Sequence, residues 1–252
     1  MEWIFITSAA LLAGFVDAIV GGGGLIMVPA MFAAFPTSAP ATLLGTNKAV
    51  SVWGTTMATW QYSRKVSIQW RTMLPAAAVG FAGSMAGAWA VTQVAPDFLR
   101  KLLPVILLAV LVYTLAKKDL GRHHTPRFAG RAELYVACAI GLGIGFYDGF
   151  FGPGTGSFFV FLLVRLLGYD FLNASASAKL LNCATNIAAI ALFAAKGHVW
   201  WHFALTLAVA NVLGSLLGTH MALKHGAGFV RGIFMVVVSA LIIKTGYDAF
   251  LR

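Results

Sequence analysis

Four ionisable residues lie inside apolar stretches of the chain, namely Asp17, Lys48, Asp148 and Lys179. A charged side chain at membrane depth usually faces the protein interior, pairs with an opposite charge and marks a route for substrate or protons. Two interpretations of the aspartates follow: they hold the lysines in structural ion pairs, or they take up protons that drive a transport cycle. We favour a functional role for the two lysines, because their neighbours are also polar.

Polar neighbours share a helix face with each lysine. Residues three or four positions apart lie on one face of a helix, which gives two sets: Lys48, Ser51 and Thr55, and Lys179, Asn182 and Asn186. Asn47 adds an amide beside Lys48. Ammonium, hydroxyl and amide groups all donate hydrogen bonds, so each face suits an oxyanion.

A glycine-rich stretch and a short apolar piece follow each aspartate. The short pieces cover residues 25–35 and 157–168, and at about 1.5 Å per residue each reaches about half way across a bilayer. Backbone without helical hydrogen bonds is tolerated at that depth only where it is buried in protein or lines a wet cavity. We expect the start of each short helix to offer donors to an anion. The candidates are Gly22, Gly23, Gly24, Gly154, Thr155, Gly156 and Ser157.

The two constellations are copies of each other, separated by 131 residues without a gap. This offset pairs Asp17 with Asp148, Lys48 with Lys179, and Trp70 with Trp201. It also pairs Gly83 and Gly87 with Gly214 and Gly218, whose four-residue spacing predicts close helix contact. Such self-similarity predicts a tandem duplication. We divide the chain into a first repeat (1–121), a basic linker (122–131) and a second repeat (132–252).

The composition predicts an all-α polytopic membrane protein. Hydrophobic residues make up 60% of the chain and charged residues 10%, and the mean hydropathy of +0.84 exceeds that of soluble domains. The net charge is +10, and most of the basic residues that produce it lie between apolar runs, as in the loops of membrane proteins. No nucleic-acid partner is therefore expected. We predict about eight transmembrane segments, with a glycine-broken helix in each half. They are 3–20, 42–62, 72–93, 102–117, 133–151, 174–195, 202–222 and 230–250.

Two topologies fit the loops. If each glycine element dips into the membrane and returns, the repeats are inverted and both chain ends lie outside. If each element crosses once, the repeats are parallel and the ends lie inside. Either arrangement places eleven basic residues inside and five outside, in agreement with the positive-inside rule. We favour inverted repeats with periplasmic ends, because no basic residue precedes the first helix and the short pieces cannot span.

No pattern predicts an enzyme, a metal site or a cofactor. Neither aspartate carries the Gly-x-Gly-Asp sequence of membrane aspartyl proteases, and no acids, thiolates or imidazoles show metal-ligand spacing. His220 lies in an apolar run, which is more typical of a hydrogen bond to a neighbouring helix than of catalysis. Repeated units, discontinuous helices and a site at the repeat interface are typical of secondary transporters. We therefore predict a transporter of small anions, with an anion channel or a non-transporting membrane scaffold as the alternatives.

The chain also resembles the TauE/SafE sulfite exporter family, described as well as the toluene-sulfonate uptake permease family. The motifs that carry the resemblance are Gly14 to Asp17, Gly21 to Gly24, Pro29, Ala41 to Lys48, Gly145 to Gly149, Gly152 to Gly156, and Ala176 to Lys179 with Asn182 and Asn186. The resemblance covers the whole chain. It implies a permease of the bacterial inner membrane that moves sulfite or small organosulfur anions such as sulfonates and sulfoacetate. It implies a binding role for both glycine motifs, Asn47, Lys48, Lys179, Asn182 and Asn186. Proton coupling and a homodimer are both compatible with it.

Overall fold

The computed structural model describes residues 2–95, 98–99 and 127–250, with the backbone alone at 2, 227–228 and 230–250. Across these ranges all regular structure is helical. The predicted span 102–117 and the first half of the linker 122–131 lie outside the described residues. The helices are α1 (Glu2–Val20), α2 (Gly23–Ala34), α3 (Pro40–Ser63), α4 (Trp70–Val91), α5 (Arg131–Phe150), α6 (Thr155–Leu162), α7 (Phe171–Ala195) and α8 (Trp201–Phe250). A π-helical turn, Leu163–Leu167, extends α6.

In the described part of the chain, four helices are long and apolar enough to cross a membrane. They are Trp3–Val20, Trp70–Val91, Phe171–Ala195 and Trp201–Gly226. A polytopic, all-helical membrane protein is thereby confirmed. Helices α3 and α5 have 24 and 20 residues, respectively, but are not among these four. Helix α8 bends at Gly226, where φ is 72°. The part of α8 beyond this bend coincides with the predicted span 230–250.

Both glycine clusters interrupt helices, as predicted. Helix α1 stops at Val20 and α2 has only 12 residues, while α5 stops at Phe150 and α6 has only 8. Gly21 and Gly154 have φ values of 79° and 83°, a left-handed conformation that glycine adopts with little strain. The sequence therefore breaks each helix at a point where the backbone must turn.

Long helices of one repeat pack against those of the other in a reciprocal pattern. Helix α8 lies against α1, and α4 lies against α5. A Cβ atom on Gly214 would collide with the carbonyl of Leu11, and one on Gly83 would collide with the carbonyl of Leu142. These two contacts are related by the 131-residue offset. The predicted close contact at the spaced glycines is thus confirmed, and it joins the two repeats.

Helices α3 and α7 are equivalent under the duplication and contact each other in opposite directions. The hydroxyl of Thr56 lies 3.2 Å from Cys183 Sγ, whereas Gly45 approaches the side chain of Phe193. Residue numbers fall on one helix as they rise on the other, so the two helices are antiparallel.

Two apolar core clusters contact α3 and α7 at different heights. Along α3, one cluster ends at Val50 and the other begins at Ala58, and along α7 the change falls between Leu181 and Ala189. The stretches in between carry the polar residues Ser51 and Thr55 on α3 and Asn182, Thr185 and Asn186 on α7, and we call residues 51–55 of α3 and 182–186 of α7 the central polar segments. The fold therefore surrounds two short polar stretches with apolar core on either side.

Candidate functional site

Both buried lysines form ion pairs with the opposite repeat. The ammonium of Lys48 on α3 contacts Oδ1 of Asp148 on α5. The ammonium of Lys179 on α7 lies 3.3 Å from Oδ2 of Asp17 on α1. The 131-residue offset converts one pair into the other. The charges that the sequence places once per repeat are therefore neutralised between repeats.

Helix ends explain why the aspartates attract these lysines. Asp17 and Asp148 lie in the last turns of α1 and α5, where free carbonyl groups give a partial negative charge that favours a cation. Lys179 Nζ also donates to the backbone carbonyl of Asp17, and Lys48 Nζ lies beside Gly152 in the second glycine break. Each ammonium therefore meets a carboxylate and a helix end together.

The two aspartates have unequal surroundings. Oδ1 of Asp17 accepts from the amide of Gly23, and Oδ2 accepts from the hydroxyl of Thr55, both at 3.4 Å. Oδ2 of Asp148 is buried and accepts no hydrogen bond from any described residue. Asn186 occupies the position that the duplication makes equivalent to Thr55. The side chain of Asp17 is 14% exposed and that of Asp148 is 1% exposed. The Lys48–Asp148 pair is therefore more deeply buried, and its carboxylate accepts fewer hydrogen bonds.

Three predicted amide ligands are buried near the lysines. Asn47, Asn182 and Asn186 are all buried. Oδ1 of Asn47 has no hydrogen-bond partner among the described residues, and no hydrogen bond joins the amide of Asn182 or Asn186 to another described side chain or backbone group. Ser51 is half-buried, and its carbonyl accepts from the Thr55 hydroxyl at 2.9 Å. Because buried amides normally have partners, these three are candidates to bind a ligand.

The two glycine breaks contact each other directly. Gly21 and Gly156 meet backbone to backbone, so that a Cβ atom on either would collide with the other. The amide of Ser157 donates to the carbonyl of Gly21 and its hydroxyl donates to the carbonyl of Val20, each at 3.0 Å. The Ser157 side chain, which the sequence suggested as a ligand, therefore fastens one break to the other in this structure.

Several other donors of the glycine breaks have protein partners. The amide of Gly23 donates to Asp17, as described above. Thr155 donates from its amide and its hydroxyl to the carbonyl of Gly152, at 3.2 and 2.7 Å. Gly24 lies against Pro153 of the other repeat. The breaks therefore form a compact contact between repeats, next to both ion pairs.

Sequence reasoning missed Asn211 and misjudged His220. Asn211 is buried on α8 and donates to the carbonyl of Ala10 at 3.1 Å; the duplication gave no signal, since its counterpart is Gly80. The expected hydrogen bond of His220 to a neighbouring helix is absent among the described residues; its side chain is exposed and lines a cavity beside Arg64. Ser84 and Ser215 occupy equivalent positions in the two repeats, and this equivalence could have identified them from the sequence. Their hydroxyls donate to the carbonyls of Thr185 and Gly54, both at 2.6 Å.

These features define a multi-pass membrane protein with interrupted helices and buried charge pairs between repeated halves. Residues 6–245 match the family model described as sulfite exporter TauE/SafE. The chain therefore belongs to the TauE/SafE family, a family of membrane transporters, and the resemblance seen in the motifs is confirmed.

Curated relatives agree with this assignment. The chain is 37% identical over 240 residues to the probable membrane transporter protein YfcA of Escherichia coli K12, covering 95% of this chain and 88% of the relative. It is 36% identical over 241 residues to the probable membrane transporter protein ORF9 of a Sinorhizobium species, covering 95% and 90%. It is 33% identical over 237 residues to a probable membrane transporter protein of Haemophilus influenzae, covering 94% and 91%. No solved structure matches the chain.

Proposed function

We propose that this protein is a secondary transporter of small anions in the bacterial inner membrane, with the anion bound between the two repeats. The observation that carries the proposal is the group of buried amides of Asn47, Asn182 and Asn186, which have no hydrogen-bond partner among the described residues and share helices with the buried lysines. Amide and ammonium donors stabilise the oxygens of an oxyanion. The central polar segments provide such donors between two apolar cores.

The positive charge of each lysine can be balanced either by its aspartate or by a bound anion. In the ion-paired state, the carboxylates of Asp17 and Asp148 balance the ammonium groups of Lys179 and Lys48. If a carboxylate takes up a proton, its lysine keeps an uncompensated positive charge, which favours an anion in the same region. Proton uptake and anion binding are thereby linked. In the alternative role, the aspartates only hold the lysines in place, and transport is facilitated without protons.

Sulfur oxyanions are the proposed substrates: sulfite, or organosulfur compounds such as sulfonates and sulfoacetate. The family is described as sulfite exporters, and a sulfite or sulfonate group presents three oxygens that several donors can contact together. The breaks formed by Gly22, Gly23 and Gly24 and by Gly154, Thr155 and Gly156 lie beside the ion pairs and complete the proposed site.

Inverted repeats are the proposed arrangement, with about eight transmembrane segments that include the two glycine-broken elements, with periplasmic chain ends, and with the repeat boundaries 1–121, 122–131 and 132–252. The antiparallel contact between the equivalent helices α3 and α7 supports this proposal. A two-fold axis that relates two antiparallel helices is perpendicular to them, and it therefore lies in the plane of the membrane. Inverted repeats of this kind allow a site at their interface to open to either side in turn.

A structural scaffold is the second candidate, because both lysines already have carboxylate partners. Uptake of radiolabelled sulfite into proteoliposomes separates the two candidates. A transporter gives saturable uptake that unlabelled sulfite or a sulfonate competes, and Asn186→Ala weakens it. Absence of saturable uptake for every sulfur oxyanion, with protein that remains folded, would overturn the transport proposal.

A further inference from the structure

A cavity of about 430 Å³ lies where the end of α3 meets α8. Its described lining consists of Trp60, Gln61, Arg64, Lys65, His220 and Leu223. Helix α3 belongs to the first repeat and α8 to the second, so the cavity lies at a junction between repeats. We call it the basic pocket.

Charge in the basic pocket has one sign. Arg64, Lys65 and His220 line it, and none of its described lining residues is acidic. The guanidinium of Arg64 lies 5.1 Å from the ring centroid of Trp60, a cation–π contact that holds the arginine beside the cavity. Oε1 of Gln61 is buried without a hydrogen-bond partner in the described part of the chain. The pocket therefore combines positive charge with an unengaged amide.

The second repeat provides a comparison within the same molecule. The duplication places Ala191, Leu192, Ala195, Lys196, Trp89 and Thr92 at the positions equivalent to the pocket lining. The same helix ends meet there, since Lys196 Nζ donates to the hydroxyl of Thr92 at 2.7 Å. Among the six equivalent positions only Lys196 is basic, and it is hydrogen-bonded. Contact between the helices therefore does not require the basic lining of the first junction.

The surface beside the pocket suits an acyl chain. Four exposed apolar side chains follow one another at four-residue spacing on α8: Leu205, Val209, Leu213 and Leu217. His220 continues the same face three residues later. At about 1.5 Å per residue, this face covers a length of about 20 Å, which is comparable to one leaflet of a bilayer. An apolar face thus leads directly to a basic pocket.

We propose that the basic pocket binds the phosphate group of an anionic phospholipid whose acyl chain lies along the apolar face of α8. Both topologies considered above place Arg64 and Lys65 on the cytoplasmic side, where the leaflet surface is negatively charged. The apolar face favours a lipid over a free phosphate ion. Helix α3 also carries Lys48 of the proposed anion site. A lipid bound at this junction therefore contacts both that helix and α8 of the second repeat. The lipid site does not depend on the transport proposal.

Thermal unfolding of the full-length protein in detergent tests the lipid site. The probes are phosphatidylglycerol, phosphatidylcholine with the same acyl chains, and inorganic phosphate. We expect phosphatidylglycerol to raise the apparent Tm and the other two to leave it unchanged, as mass action predicts for a ligand of the folded state. Equal stabilisation by phosphatidylcholine, or stabilisation by inorganic phosphate alone, would overturn the proposal.

Variants then locate the site. Arg64→Gln with Lys65→Gln should raise the phosphatidylglycerol concentration needed for half of the Tm increase by about tenfold or more, equivalent to about 1.4 kcal/mol. Lys196→Gln removes a positive charge at the equivalent junction and should leave that concentration unchanged. His220→Gln supplies an independent variant if the double substitution fails to fold, and it should weaken the response in the same direction. Equal loss in Lys196→Gln and the pocket variants would contradict a specific site.

Discussion

Lys179 in the second repeat donates to both the carboxylate and the backbone carbonyl of Asp17 in the first. The contact joins a buried cation to the end of a helix that a glycine cluster has terminated. Lys48 makes the matching contact with Asp148. Each half of the duplicated chain therefore supplies the carboxylate that neutralises the buried lysine of the other half.

Substitution of Lys179 by Ala should destabilise the protein. Removal of one partner of a buried ion pair leaves an uncompensated charge, at a cost of about 3–5 kcal/mol, and the 14% exposure of Asp17 favours the lower value. Denaturation of Lys179→Ala, Asp17→Ala and the double variant measures the coupling. The double variant should lose less stability than the sum of the single losses. Additive losses would contradict the cross-repeat pair, and Lys196→Ala, at an exposed lysine, serves as the control.

The two aspartates should respond differently to substitution by Asn. Asp17→Asn disturbs contacts with Gly23 and Thr55 as well as with Lys179, so we expect a lower yield of folded protein. Asp148→Asn leaves Lys48 without a counter-charge at a site where the carboxylate is only 1% exposed, against 14% for Asp17, and should give still less folded protein than Asp17→Asn. If Asp148 couples protons, its variant also loses flux driven by a pH gradient while substrate exchange continues. Yield by size-exclusion chromatography and flux in proteoliposomes give the two readings, and a reversed order of yields would contradict the assigned asymmetry.

The contact between glycine breaks should not tolerate a methyl group. In Gly156→Ala the new Cβ atom meets the backbone of Gly21, so we expect a lower apparent Tm or no folded protein. Gly143→Ala is the matched control, because its Cβ atom would meet no atom within 4 Å. In that helical position Ala is favoured over Gly by about 1 kcal/mol. Similar Tm values for the two variants would contradict the direct contact.

The buried amides should matter more for binding than for folding. Neither Asn182→Ala nor Asn186→Ala removes a side-chain hydrogen bond to a described residue, so we expect little change in Tm. Loss of a hydrogen bond to a charged ligand costs about 1.5–3 kcal/mol, which predicts an increase in Kd of about tenfold or more. Asn211→Ala is the opposite case, since it removes a bond to Ala10 and should lower the Tm with less effect on Kd. Isothermal titration with the anion, alongside thermal unfolding, checks both patterns.

Much of this fold is predictable from residue spacing alone. The glycine runs predicted both helix breaks because glycine adopts the left-handed backbone found at Gly21 and Gly154, and the half-length helices followed from counting apolar residues. The partner of each buried charge was not predictable. A repeat offset states which residues are equivalent, but it does not state that Lys48 crosses to the other repeat to meet Asp148. Asn211 was missed for a related reason, since its counterpart Gly80 has no side chain to repeat.

The most direct test of an anion site between the repeats is thermal stabilisation of the purified protein by a panel of anions. Sulfite, sulfate, sulfoacetate, taurine, an aryl sulfonate and chloride are compared in the wild type and in Asn186→Ala. We expect at least one sulfur oxyanion to raise the apparent Tm, chloride to leave it unchanged, and the rise to be much smaller in Asn186→Ala. If no sulfur oxyanion stabilises the folded protein, or if Asn186→Ala retains the full rise, the proposed site is contradicted.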